Sequence, residues 1–135
     1  MDFKLEVVIV PVVDVDRAKA FYIDRLGFVL DVDHRAGDFR IVQLTPPGSA
    51  CSITLMRNDA AAGCLPGLQM VVSDIEAARA ELVARGAPVS DLFHFEAGSQ
   101  KPGPDPNRAD FNSFFSFSDP DGNSWMVQEH NAPQA

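Results

Sequence analysis

The chain has 135 residues, 46% of them hydrophobic, enough to bury one sizeable core and too many for a disordered chain. Its 11 basic and 19 acidic residues leave a net charge of −8, which argues against nucleic acid or an anionic membrane as partner, because both reward positive charge. The chain does not open on a basic stretch followed by an apolar run, and no apolar run approaches the roughly 20 residues that span a bilayer. Neither a leader nor a membrane anchor is expected, and the expected location is cytoplasmic.

Residues 3–13 are rich in Val, Ile, Leu and Phe, and this predicts a strand covered on both faces. Asp14 stands where an N-cap belongs. Val15, Ala18, Phe21, Tyr22 and Leu26 then form a helical stripe that Gly27 closes. Short strands are predicted at 28–32, 39–44 and 51–56, with Ser52, Thr54 and Met56 on one face of the last. The stretch 58–66, rich in Ala with Asn, Asp, Gly and Pro, reads as a linker.

The pattern then restarts. Residues 68–72 read as a strand, Asp74 caps a helix with Ile75, Ala78 and Leu82 on its stripe, and Gly86 ends it. A strand is predicted at 89–95. A long loop follows at 96–110, its Gly and Pro content suiting a lid or a mobile segment. Last comes a hairpin whose turn is Asp119-Pro120-Asp121-Gly122-Asn123, with Phe114-Phe115-Ser116-Phe117 entering and Trp125-Met126-Val127-Gln128 leaving. Cys51 and Cys64 form no Cys-x-x-Cys and are expected to be free thiols.

Two segments repeat. Asp14-Val15-Asp16-Arg17-Ala18-Lys19-Ala20 and Asp74-Ile75-Glu76-Ala77-Ala78-Arg79-Ala80 share the order Asp, apolar, acid, any, Ala, base, Ala. Each follows a Val-rich strand and precedes three predicted strands. The fold class expected is therefore α+β: two βαβββ modules forming one curved mixed sheet, with helices on the outer face and a concave groove on the other. One domain is expected over residues 1–135, with the first module at about 1–57 and the second at about 67–131.

Three motifs carry a resemblance: Val12 to Phe28 (Val-x-Asp-x-x-Arg-Ala-x-x-Phe-Tyr-x-x-x-Leu-Gly-Phe), Val72 to Ala78, and Phe117 to Asn123. The chain resembles the vicinal oxygen chelate superfamily, which includes glyoxalase I, extradiol dioxygenases, fosfomycin-resistance enzymes and bleomycin-binding proteins. The resemblance implies a homodimer. It also implies metal ligands at four concave strand positions, which here hold Val7, Thr54, Gly67 and Met126. Valine and glycine offer no donor, Met is a soft ligand, and a lone Thr cannot hold a divalent cation.

No cofactor is therefore expected. A relocated divalent metal is the alternative, with Gln69, Gln128 and His94 as its weak ligand set. The candidate ligand-binding residues are Thr54, Gln69, His94, Phe114, Met126 and Gln128. His94 is also the candidate acid/base, although a lone His on an aromatic strand is more often structural. No nucleophile elbow and no phosphate loop is present.

Two functions of different class follow. One is a metal-free protein that binds a small apolar or aromatic molecule in its groove, with a sequestration or resistance role. The other is a superfamily enzyme (lyase, isomerase or dioxygenase) using a relocated metal or His94. They differ in whether three ligand-capable side chains converge. A third possibility is a groove filled by its own side chains, in a protein that serves only in assembly.

Overall fold

The computed structural model describes residues 1–131. Residues 132–135, included in the single-domain expectation, lie outside the described residues. The chain divides into two compact units. The first is Met1–Leu65 with Asp119–Asn123; the second is Pro66–Ser118 with the chain from Ser124.

In the first unit β1 (Val7–Val12) leads into α1 (Val15–Ala20), then β2 (Val29–Ala36), β3 (Phe39–Thr45) and β4 (Ser52–Arg57). The sheet order is β1-β4-β3-β2, with β1 parallel to β4 and the other pairs antiparallel. The second unit repeats the plan with one strand more: β5 (Leu68–Val72), α2 (Ile75–Ala84), β6 (Phe93–Glu96), β7 (Ser99–Pro102), β8 (Phe114–Ser118) and β9 (Ser124–Glu129). Its order is β5-β9-β8-β6-β7, with β5 parallel to β9. The class is α+β, as read. The strands form two separately hydrogen-bonded mixed sheets of four and five strands, rather than the one sheet expected.

Both predicted caps form. The Asp14 carboxylate accepts from the Arg17 N–H, and that of Asp74 from the Ala77 N–H, each at 3.1 Å. Gly27 and Gly86 close the two helical segments with φ of 73° and 81°. The first segment is not one continuous α-helix: α1 ends at Ala20 and a π-helical turn runs through Phe21–Arg25. Tyr22 sits in that wider turn and is fully buried, with its ring 5.3 Å from that of Phe21 and 5.5 Å from that of Phe28; Val10, Val12, Ala18, Val42, Leu44 and Leu55 are the other fully buried apolar residues of the first unit.

Other boundaries differ for local reasons. The strand expected at 3–13 shrinks to Val7–Val12 because β4 begins at Ser52, the register partner of Val7, so the preceding residues have no strand to pair with. Phe3 and Leu5 stay exposed, and Ile9 is 57% exposed, so β1 is covered on one face only. β2 extends to Ala36 because it pairs along the full length of β3, through Arg35 with Arg40 and Ala36 with Phe39. The strand expected at 89–95 survives only as Phe93–Glu96. The Ser90 hydroxyl, rather than a backbone carbonyl, accepts from the Ser116 N–H at 2.9 Å and interrupts the ladder. The expected loop at 96–110 contains β7, which folds back on β6 as a hairpin.

The turn Asp119–Asn123 belongs to the first unit and is its polar centre. The buried Asp119 carboxylate accepts from the Tyr22 hydroxyl at 2.8 Å, the Asn123 side-chain amide at 2.9 Å, and the backbone N–H groups of Asp121 and Asn123 at 3.0 and 2.9 Å. Asn123, fully buried, also donates to the Pro11 carbonyl at 2.9 Å and accepts from the Leu65 N–H at 3.2 Å. Asp121 accepts from the Val13 N–H at 3.1 Å and from Arg17 at 3.2 Å. Gly63 packs so close that a Cβ there would stand 2.1 Å from the Asp121 carbonyl oxygen, at a φ of 78°.

Replacing Asn123 with Ala takes a hydrogen bond from the buried Asp119 carboxylate and from the half-buried Pro11 carbonyl and Leu65 N–H, and we expect a loss of about 3 kcal/mol in urea unfolding. Gly63→Ala should destabilise at least as strongly, since backbone must move to admit the methyl group. Wild-type urea midpoints in both variants would contradict this account of the turn.

Candidate functional site

Alternation along β8 and β9 divides the second sheet into two faces. Phe115, Phe117, Trp125, Val127 and Glu129 are buried and share one phase, on strands that contact α2. Phe117 and Trp125 stack there with ring centroids 5.8 Å apart. The other face is open. Register places Gln69, Met126 and Ser116 in one row, and Val71, Gln128 and Phe114 in the next.

The candidate residues separate accordingly. Thr54 lies in the first unit, 8% exposed, with Ile9 and Gln43 as register neighbours. The other five lie in the second unit, and four of them share its open face. The Gln69 amide donates to the Met126 sulfur at 3.7 Å, and Gln128 is the register partner of Phe114. Phe114 is buried by its neighbours on β6: it stacks on Phe93 at 5.5 Å and meets Phe95 edge-on at 5.6 Å.

His94 stands apart. It alternates with Phe93 and Phe95 and so takes the opposite phase of β6. It is 4% exposed, its Nδ1 lies 2.7 Å from the Gly103 carbonyl oxygen, and its Nε2 lies 2.9 Å from a Glu96 carboxylate oxygen. Both ring nitrogens are engaged away from the open face.

At the hairpin end of the second sheet lies a depression of about 660 Å³ that draws on both faces: Gly67, Ser116 and Met126 line it from the open one and Phe117 and Trp125 from the other, with Ser90, Ser118 and Ser124 at its rim. Nothing would lie within 4 Å of a Cβ at Gly67, so glycine leaves space there. Ser116 shares the phase of Phe114, which the strand alternation already indicates. Ser90, Ser118 and Ser124 carry no sequence signal as lining residues, since serine beside a turn is the commonest of surface residues. A second depression, of about 520 Å³, lies in the first unit and includes Asp16, Arg35, Phe39 and Arg40. Its central charge is already paired: Arg40 binds Asp16 at 2.6 Å and Asp33 at 2.9 Å, and holds the Asp33 carboxyl well below the usual carboxylate range.

Glu129, next to Gln128 in sequence, points to the helix side. It is fully buried, accepts from the Ile75 N–H at 2.9 Å, and takes two hydrogen bonds from Arg108 at 3.0 and 2.6 Å. Arg108 also reaches Glu76 at 3.1 Å. The guanidinium holds the Glu129 carboxyl below its ordinary value despite burial. This cluster fixes the start of α2 and leaves Glu129 unable to serve the open face.

The resemblance noted from the sequence implies metal ligands at the positions of Val7, Thr54, Gly67 and Met126. Two of these have no donor, and the Met126 sulfur already receives the Gln69 amide. They do not fit a divalent cation. Among the described residues no group of three or more His, Cys, Asp or Glu could hold one.

Residues 4–127 match the profile of the Glyoxalase/Bleomycin resistance protein/Dioxygenase superfamily, and the chain belongs to that superfamily. It is similar to the crystal structure of TnmS3, an antibiotic binding protein from Streptomyces sp. CB03234. Identity is 30%, coverage is 95% of this chain and 96% of that one, and the TM-score is 0.74. A glyoxalase/bleomycin resistance protein from the same Streptomyces is 30% identical over 93% of this chain and 100% of that one, with a TM-score of 0.71. A superfamily member from Sphaerobacter thermophilus DSM 20745, 24% identical over 96% and 98% of the two chains with a TM-score of 0.70, shares the fold. Among curated proteins none matches this chain. No helix among the described residues is long and apolar enough to cross a membrane.

A carboxyl held below its ordinary value stabilises the fold above that ordinary value, and the stabilisation is lost as pH falls through the lowered one. Wild-type urea midpoints should therefore drop on acidification below about pH 4.5, the ordinary glutamate value. Glu129→Gln should start lower at neutral pH and show a shallower acid limb. An identical acid limb in the variant would remove Glu129 from the account.

Proposed function

We propose that this protein binds a small, largely apolar molecule carrying oxygen substituents on the open face of its second unit, without a metal ion. The observation that carries the reading is the roughly 660 Å³ depression between Gly67, Ser116 and Met126. It has the size of an ordinary small-molecule site and combines apolar surface with a few polar groups, which is the usual chemistry of such sites. Met126 supplies an adaptable apolar wall. The serine hydroxyls and the amides of Gln69 and Gln128 supply donors and acceptors at the same face.

Two of the four usual ligand positions, Gly67 and Met126, line this depression, and neither offers a good donor for a hard cation. The likeness to an antibiotic binding protein at 30% identity over nearly the whole chain supports sequestration of such a molecule as the biological role. A homodimer, which the family resemblance suggests, is part of the proposal.

The test is a thermal-shift screen of small aromatic and polyketide-like compounds against chelator-treated protein. A binder at about 100 times its Kd should raise stability by about 2.7 kcal/mol. Ser116→Phe, which fills the depression from the open face, should abolish the shift while the protein stays folded. A shift retained in that variant would move the site elsewhere. Stabilisation by added Mn, Fe, Ni or Zn with near-stoichiometric binding, lost on Gln69→Ala or Gln128→Ala, would favour the enzymatic reading.

A further inference from the structure

His94 is buried, yet both of its ring nitrogens face acceptors: the Gly103 carbonyl at 2.7 Å and the Glu96 carboxylate at 2.9 Å. A neutral imidazole carries a single N–H and can satisfy only one of them, whereas the imidazolium donates to both. The ring thus ties the last residue of β6 to the residue that follows β7. A backbone bond from the Gly103 N–H to the Leu92 carbonyl, 2.8 Å, closes the same end of the hairpin. The tip turns through Ala97 and Gly98, both at positive φ, of 50° and 81°.

On the opposite phase the same hairpin carries Phe93 and Phe95, whose rings pack on Phe114. We propose that His94 is a proton-operated latch: while doubly protonated it closes the β6–β7 hairpin and holds the Phe93–Phe95 wall against Phe114, and loss of one ring proton releases that wall. That this wall borders a binding face rests on the function proposed above; the latch itself does not.

Two carboxylates act on the ring, Glu96 from the end of β6 and Asp105 from the segment after β7, and Lys101 on β7 is the register partner of His94. Asp105 is itself fixed by the backbone N–H groups of Asn107 and Ala109 at 3.2 and 2.9 Å. The Glu96 hydrogen bond, aided by the Gly103 carbonyl, raises the ring above the ordinary histidine value against the effect of burial. A raised value gives stabilisation that is complete below the ordinary histidine range and is lost as pH rises through the raised value. When the proton leaves, the half-exposed Glu96 can turn to water, while the less exposed Gly103 carbonyl keeps the remaining N–H. Release therefore starts at the hairpin rather than in the core.

The experiment is NMR on the intact chain from pH 5.5 to 9. It follows the His94 ring resonances, the contacts between the Phe95 and Phe114 rings, and amide exchange in 93–102 corrected for intrinsic pH dependence. The latch predicts that ring contacts weaken and corrected exchange rises about tenfold with the His94 midpoint. In Glu96→Gln the midpoint falls and the hairpin transition follows it to lower pH. In His94→Gln the step disappears. A hairpin that stays flat while His94 titrates, or the same step in His94→Gln, overturns the latch. A compound screen without binders overturns only the binding reading.

Discussion

A carboxylate surrounded by four donors governs the first unit. Asp119 is buried and accepts from a phenol, a side-chain amide and two backbone N–H groups. A buried carboxylate is tolerated only when it is satisfied in this way. Satisfying it fixes the conformation of the turn, and through Asn123 and Asp121 the turn holds Pro11, Val13 and Leu65. Apolar burial of Tyr22, Val10 and Leu44 supplies the bulk of the driving force, but it is directionless. The hydrogen bonds decide which arrangement of the same apolar groups is adopted, and the absence of a side chain at Gly63 lets the two backbones meet.

In the second unit the deciding constraint is the phase of β8 and β9. The alternating Phe115, Phe117, Trp125 and Val127 are buried, and this leaves Ser116, Met126 and Gln128 on the other side. Glu129 reinforces the choice, because its carboxylate is claimed by the start of α2 and by Arg108. A slip of one residue would bury Gln128 and turn a charge outward from its partners, so register and site chemistry are set together. The open face therefore presents amides, hydroxyls and a thioether. That set suits a neutral organic molecule better than a hard cation, which is the physical basis of the proposed function.

Much of this architecture is legible from the chain itself. The doubled Asp-capped helix motif and the two helix-closing glycines locate both modules, and the phases of Gln69, Met126 and Gln128 follow from strand alternation alone. The misread boundaries have specific causes. β2 is exposed throughout and rich in charge, so its apolar signal ends long before its hydrogen bonds do. β7 has Ser, Gln, Lys and Pro and reads as loop, yet it pairs because β6 offers it an edge. The division into two sheets depends on which strand edges pair, and no local pattern reports that. His94 illustrates the limit at the level of one residue: its position on β6 is readable, but the acceptors on both of its nitrogens come from Glu96 and from Gly103, across a hairpin that the sequence does not announce.

The central claim is that binding takes place on the second unit's open face and needs no metal. The most direct measurement is amide chemical-shift mapping of chelator-treated protein with a compound that stabilises it. The account predicts saturable shifts at Gly67, Ser116 and Met126 that are unchanged when Mg or Zn is restored. Shifts confined to other residues, or binding that appears only once a divalent metal is present, would contradict it.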